Sequence, residues 1–232
     1  MKKSNRILLG GFLTVVLLIT GIHIALYAKY RNGHYTISQP DNKRGKGTMQ
    51  SFPEVSVIMM QNVSGASIIF GDALEVEKGK EEIIETVKKG DSVIITGRGI
   101  KGQVGGPNEV RFTLPRNVTI SALNSFIYFD KGKDDSTTNP TFYLQKSHID
   151  FGYTRKPIQL GNVKVFASDN SLALFEGYTQ VSNLEILLRN SALEYREGDI
   201  GQLSIATDSS SRFILQSKHL LKAKITSVPS NP

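Results

Sequence analysis

The feature that most constrains this chain is a repeat near its carboxyl end. The tetrads Asn162–Val165, Asn183–Ile186, Gln202–Ile205 and Lys222–Ile225 begin 21, 19 and 20 residues apart. Asp169-Asn170-Ser171, Arg189-Asn190-Ser191 and Asp208 to Ser211 form turns at the same phase. A second apolar alternation follows each turn: Leu172/Leu174, Leu193/Tyr195 and Phe213/Leu215. A third corner at Gly177, Gly198 and Ser217 leads on to Val181, Ile200 and Leu220. Short strands recurring every ~20 residues spell a β-solenoid, in which one coil cannot bury its apolar row but stacked coils can. Val163/Val165, Leu184/Ile186, Leu203/Ile205 and Ala223/Ile225 then point inward. Lys164, Glu185, Ser204 and Lys224 form an outward column in which Lys164 and Glu185 are opposite-charge neighbours. An antiparallel sandwich also has closely spaced short strands, but it does not explain turn chemistry recurring at one phase.

Upstream, period-2 alternation bounded by Gly, Asn, Asp and Pro predicts strands at 55–58, 66–70, 74–77, 92–96, 110–114, 118–123, 126–129, 141–145 and 149–151. Lys80 to Lys88 reads as one short helix, with Ile83, Ile84 and Val87 on a shared face. The expected fold is therefore all-β: a single-stranded parallel β-helix over residues 48–226 with a tail at 227–232.

The chain carries a net charge of +7, and all of it lies before residue 47. Residues 47–232 hold equal numbers of basic and acidic side chains, so the body lacks the basic face that nucleic-acid binding requires. After a six-residue basic tail (1–6), Ile7 to Tyr27 is an uncharged apolar stretch, roughly 30 Å long as a helix and matched to a bilayer. It exceeds the apolar core of a cleavable signal, and no small-x-small site follows it. The expectation is a single transmembrane signal anchor over 7–28 in contact with lipid, then a basic flexible linker at 29–47. The body beyond it is expected outside the cytoplasm, in the periplasm or at the cell surface.

Several chemistries are excluded. With no cysteine there is no disulfide scaffold, thiol nucleophile or thiolate metal site. Gly97 to Gly102 fits G-x-G-x-x-G, but Gly105, Gly106 and Pro107 forbid the helix that a dinucleotide site needs. His34, His148 and His219 are scattered, and the polar stretch 131–140 lacks calcium-loop positions, so neither metal nor cofactor is expected. Asp169, Asp199 and Asp208 fall in successive rungs as a glycan-cleaving groove would want, yet each also sits where a turn favours Asp.

The order Phe52–Val57, Ser64–Asp72, Glu75–Glu77 and Thr86–Ile95, followed by Val110–Pro115, resembles the head GIN domain family of auto-transporter adhesins, formerly a domain of unknown function. Most of residues 48–226 is similar; 130–141 looks like an insertion, and the long apolar leader departs from the pattern. The resemblance implies a bacterial envelope protein with a β-helical body, and transfers no catalytic or ligand residues.

The expected function is a non-enzymatic, adhesin-like binding module for protein or glycan, with Phe175, Tyr178 and Tyr195 as outward contact residues, Tyr195 having the core as its alternative. The alternatives are an envelope-stress signalling or scaffolding component, and a polysaccharide lyase or hydrolase. Self-association through the solenoid ends is a further expectation.

Overall fold

The computed structural model describes residues 10–18, 20, 48–99, 109–130, 138–152, 158–177 and 179–229. Two compact units are present, Met1–Gly45 and Lys46–Pro232. In the first, residues 10–18 form helix α1. Among the described residues no helix is long and apolar enough to cross a membrane. The rest of the span expected at 7–28, and the linker at 29–47, lie outside the described residues.

The second unit is a β-solenoid of two nine-stranded sheets. Its regular part alternates strands between the sheets: β8 (Thr119–Leu123), β9 (Phe126–Phe129), β10 (Thr141–Gln145), β11 (His148–Phe151), β12 (Gln159–Ser168), β13 (Leu172–Phe175), β14 (Gln180–Arg189), β15 (Ala192–Tyr195), β16 (Asp199–Thr207), β17 (Arg212–Leu215) and β18 (Ala223–Ser227). Each even-numbered strand here pairs in parallel with the next even one, and each odd with the next odd. Val163, Leu184 and Leu203 fall in one register, as the repeat requires of stacked coils. Lys164 and Glu185 meet at 3.1 Å. The inward row is buried up to Ile205; in the last strand, by contrast, Ala223 is half-buried and Ile225 is exposed because no coil lies beyond them.

At the amino-terminal end the order of rungs departs from chain order. β2 (Val57–Gln61) and β3 (Ser64–Gly71) lie between the rung of β6 (Ser92–Gly97) and β7 (Val110–Pro115) on one side and that of β8 and β9 on the other. Antiparallel strands close this end: β1 (Met49–Phe52) on β4 (Leu74–Glu77), β4 on β7, and β5 (Ile84–Lys89) on β6. The helix expected at 80–88 is instead a turn followed by β5. Ile84 and Thr86 lie opposite Gly97 and Ile95, and pairing with β6 outweighs a helical face that would have had nothing to pack on.

One column of the core is aromatic. Phe129, Phe151, Phe175 and Tyr195 stack rung on rung with centroids 4.5, 4.6 and 5.3 Å apart. Helix α2 (Ser217–Leu220) ends the column by setting the His219 ring edge-on against Tyr195, at 5.0 Å. Phe175 and Tyr195 are therefore fully buried and not outward contacts. The error is one of parity. In β13 the inward pair is Ala173/Phe175, in register with Leu193/Tyr195, and the Leu172/Leu174 alternation marks the opposite face. Leu174 is itself only 7% exposed, so both faces read as apolar. Tyr178 lies outside the described residues.

Candidate functional site

The corner between the even-numbered and odd-numbered strands is built from a repeated triplet. Asn124-Ser125-Phe126, Lys146-Ser147-His148, Asn170-Ser171-Leu172, Asn190-Ser191-Ala192 and Ser210-Ser211-Arg212 occupy equivalent places in successive rungs. The first residue turns the chain with positive φ: 48° at Asn124, 50° at Lys146, 64° at Asn170 and 47° at Asn190. Asn suits this conformation because its short amide offsets the steric cost; Lys146 has no such compensation.

The serine is a structural ladder. The Ser125 N–H donates to Ser147 Oγ at 3.1 Å, that of Ser147 to Ser171 Oγ at 3.1 Å, and that of Ser171 to Ser191 Oγ at 3.3 Å. The Ser191 N–H donates to Ser211 Oγ at 3.1 Å. The hydroxyls of Ser125, Ser147 and Ser191 each donate to the carbonyl two residues back, at 2.8–2.9 Å. Backbone groups buried at the corner are satisfied this way, as burial demands. The recurring serines thus serve the fold, while the turn residues before them, Asn124, Lys146, Asn170 and Asn190, are exposed.

The third residues align as Phe126–His148–Leu172–Ala192–Arg212 on the outer face of the odd-numbered strands. With the turn residues as a wall, they line an axial groove of about 810 Å³ running from Ser64 to Arg212. Its floor includes the Phe126 and His148 rings, 4.5 Å apart. Its rim carries the Asn124, Asn170 and Asn190 side chains and the cations of Lys146 and Arg212. Burial holds the His148 imidazole below its ordinary pKa, against an opposing pull from Glu194, so the ring is neutral at physiological pH. Five strand spacings of ~4.8 Å, from Ser64 on β3 to Arg212 on β17, give the groove roughly 24 Å of length, enough for several units of a linear polymer.

Beside the groove, the next outward column runs Tyr128–Asp150–Leu174–Glu194. Asp150 is 5% exposed, and its Oδ1 has no hydrogen-bond partner among the described residues. Burial, with Glu176 adding and Arg196 opposing, pushes its pKa up from 3.8 to about 6. Arg196 binds Glu194 at 2.7 Å and Glu176 at 3.4 Å. Residue-type reasoning missed these groups because they enter from separate rungs.

The aspartates weighed for catalysis do not join this cluster. Asp169 accepts from the Gln145 amide at 2.7 Å, and Asp208 caps its own turn through Ser211 (2.6 Å) and the Asn190 N–H (3.0 Å). Asp199 sits at a different corner, paired with Lys218 at 2.8 Å. No group of three or more His, Asp or Glu side chains among the described residues is arranged to hold a metal ion.

On the opposite sheet lies an outward-facing aromatic pair. Tyr143 is 47% exposed and stacks on Phe166 at 4.8 Å, in a column running from Met59 and Ser121 to Leu187. Sequence parity places both rings outward. The groove residues carry a signal too, since each follows the serine of an Asn/Lys/Ser-Ser turn, and that triplet extends the repeat upstream of residue 160.

No protein-family model matches the chain, and no curated protein matches it. Among solved structures, it is similar to one described as a “putative adhesin” from Parabacteroides merdae: TM-score 0.47 and 9% identity, covering 78% of this chain and 74% of that one. It is also similar to a second so described, from Bacteroides fragilis, with TM-score 0.35 and 10% identity, covering 78% of this chain and 96% of that one.

Proposed function

We propose that this β-solenoid is a non-enzymatic, adhesin-like binding module of a bacterial cell envelope, held at the membrane by Ile7–Tyr27. The ligand is an extended glycan or protein segment lying along the axial groove. The observation that carries this reading is the groove's composition: aromatic floor, amide rim and a cation at Lys146 and at Arg212. Rings stack on the apolar faces of sugars or side chains, and amides and cations orient polar substituents. The resemblance to the head GIN domain family agrees with such a role. The test is binding of immobilised full-length chain to a panel of soluble polysaccharides and matrix proteins. Phe126→Ala and Arg212→Ala should each weaken capture at least fivefold without lowering Tm; unchanged capture refutes the groove. Protease accessibility of the body in intact cells tests its placement outside the cytoplasm.

The Asp150 cluster supports a second reading, glycan cleavage, because an acid with a raised pKa accompanied by further carboxyl groups is the equipment of a glycosidase. Release of reducing ends that is lost in Asp150→Asn would establish it. The exposed Tyr143–Phe166 stripe supports a third, scaffolding in an envelope-stress pathway, which predicts co-purification of a partner protein lost in Tyr143→Ser.

A further inference from the structure

The two ends of the solenoid are finished differently. At the amino-terminal end, β1 and β5 run antiparallel to their neighbours, and Lys88, opposite Val93, donates its ammonium to the Pro53 carbonyl at 2.9 Å. Reversed strand direction, with the lysine tied back to the backbone, is a device that stops a parallel stack from growing. At the carboxyl end, β17 and β18 are the last strands of their sheets and keep the parallel direction of the rungs before them. Ile214, Leu220, Leu221 and Ile225 are 54, 48, 88 and 43% exposed there, whereas Ile205, one rung inward of Ile225, is 0%.

The same end is basic. Lys222 and Lys224 have no ion-pair partner among the described residues, while the neighbouring Lys218 is spent on Asp199. Lys222 and Lys224 also border a hollow of about 530 Å³ with Asn183, Gln202 and Ser204, where Glu185 is already held by Lys164. The outward column reads Lys164–Glu185–Ser204–Lys224 and then stops.

We infer that the β18 edge receives an extended strand of a partner protein in which apolar and acidic residues alternate. Its apolar side chains continue the inward row over Ala223 and Ile225. Its carboxylate lies against Lys224 as Glu185 lies against Lys164, and its backbone hydrogen-bonds along the outer edge of β18. Charge selects this occupant over a second copy of the chain, because two such ends would bring their cations together. This surface is separate from the groove and from the Tyr143 stripe.

The probe is a fluorescein-labelled peptide, Thr-Val-Glu-Val-Glu-Val-Thr, titrated against the full-length chain in detergent, with a second peptide carrying Lys in place of Glu. The acidic peptide should bind at least tenfold more tightly than the basic one. Lys222→Glu with Lys224→Glu should reverse that preference at unchanged Tm, and Ile225→Lys should abolish binding of the acidic peptide. Equal affinity for the two peptides, or no binding of either, overturns the inference. So does concentration-dependent dimerisation of the chain that Ile225→Lys abolishes, since the edge would then belong to a second copy.

Discussion

Asp150→Asn tests the electrostatics of the outer face most directly. Asp150 sits between Tyr128 and Leu174 in the register of the odd-numbered strands, 5% exposed, with one carboxylate oxygen unpartnered among the described residues. Folding raises its pKa from 3.8 to about 6, chiefly through burial. The folded chain therefore holds this proton more tightly than the unfolded chain does. Stability from this group is fully present below about pH 4 and is lost as pH rises toward 6. Above that the penalty is constant, at about 3 kcal/mol for a gap of this size. Asparagine preserves shape and removes the charge. In urea denaturation the variant should exceed the parent by up to about 3 kcal/mol at pH 7.5, and the difference should shrink to near zero by pH 4. A difference that stays constant between those pH values refutes the reasoning, as does an Asp150 carboxyl titrating at its ordinary value in a carbon-13 NMR experiment.

Phe151→Ala removes the ring between Phe129 and Phe175 and should cost about 3–5 kcal/mol, measured by the same denaturation. Ser147→Ala leaves the Ser125 N–H without its acceptor at a buried corner; a loss of about 1–3 kcal/mol is expected, with faster amide exchange at Ser125. Lys146→Asn replaces a side chain unsuited to φ of 50° and should raise stability by roughly 0.5–1 kcal/mol, read as a higher Tm. Breaking the exposed Lys164–Glu185 pair with Glu185→Gln should change stability by less than about 1 kcal/mol at moderate salt.

Much of the architecture was legible along the chain. The positions of β4, β9 and β10 follow from alternation and bounding turns alone, because a strand half-buried in a stack must repeat with period two. The Lys164–Glu185 contact followed from repeat spacing. The segment 80–88 was not legible: Ile83, Ile84 and Val87 fit a helical face, and only the waiting edge of β6 made it a strand. Nor was the burial of Phe175, because the apolar Leu172 and Leu174 supplied an equally good but opposite phase, whereas the Leu193/Tyr195 alternation already carried the inward one.

The amino-acid order alone determined that this chain coils, with a period near 20 residues and turns of Asn, Asp and Ser, since those are local requirements repeated in each rung. Three-dimensional packing decided the groove, the Asp150 cluster and the unequal ends. Phe126, His148 and Arg212 lie far apart along the chain and come to line one groove only through strand register. The placement of β2 and β3 inside the stack, and not at its end, is likewise a matter of which edges pair. Register is a relation between strands, and no single stretch of chain contains it.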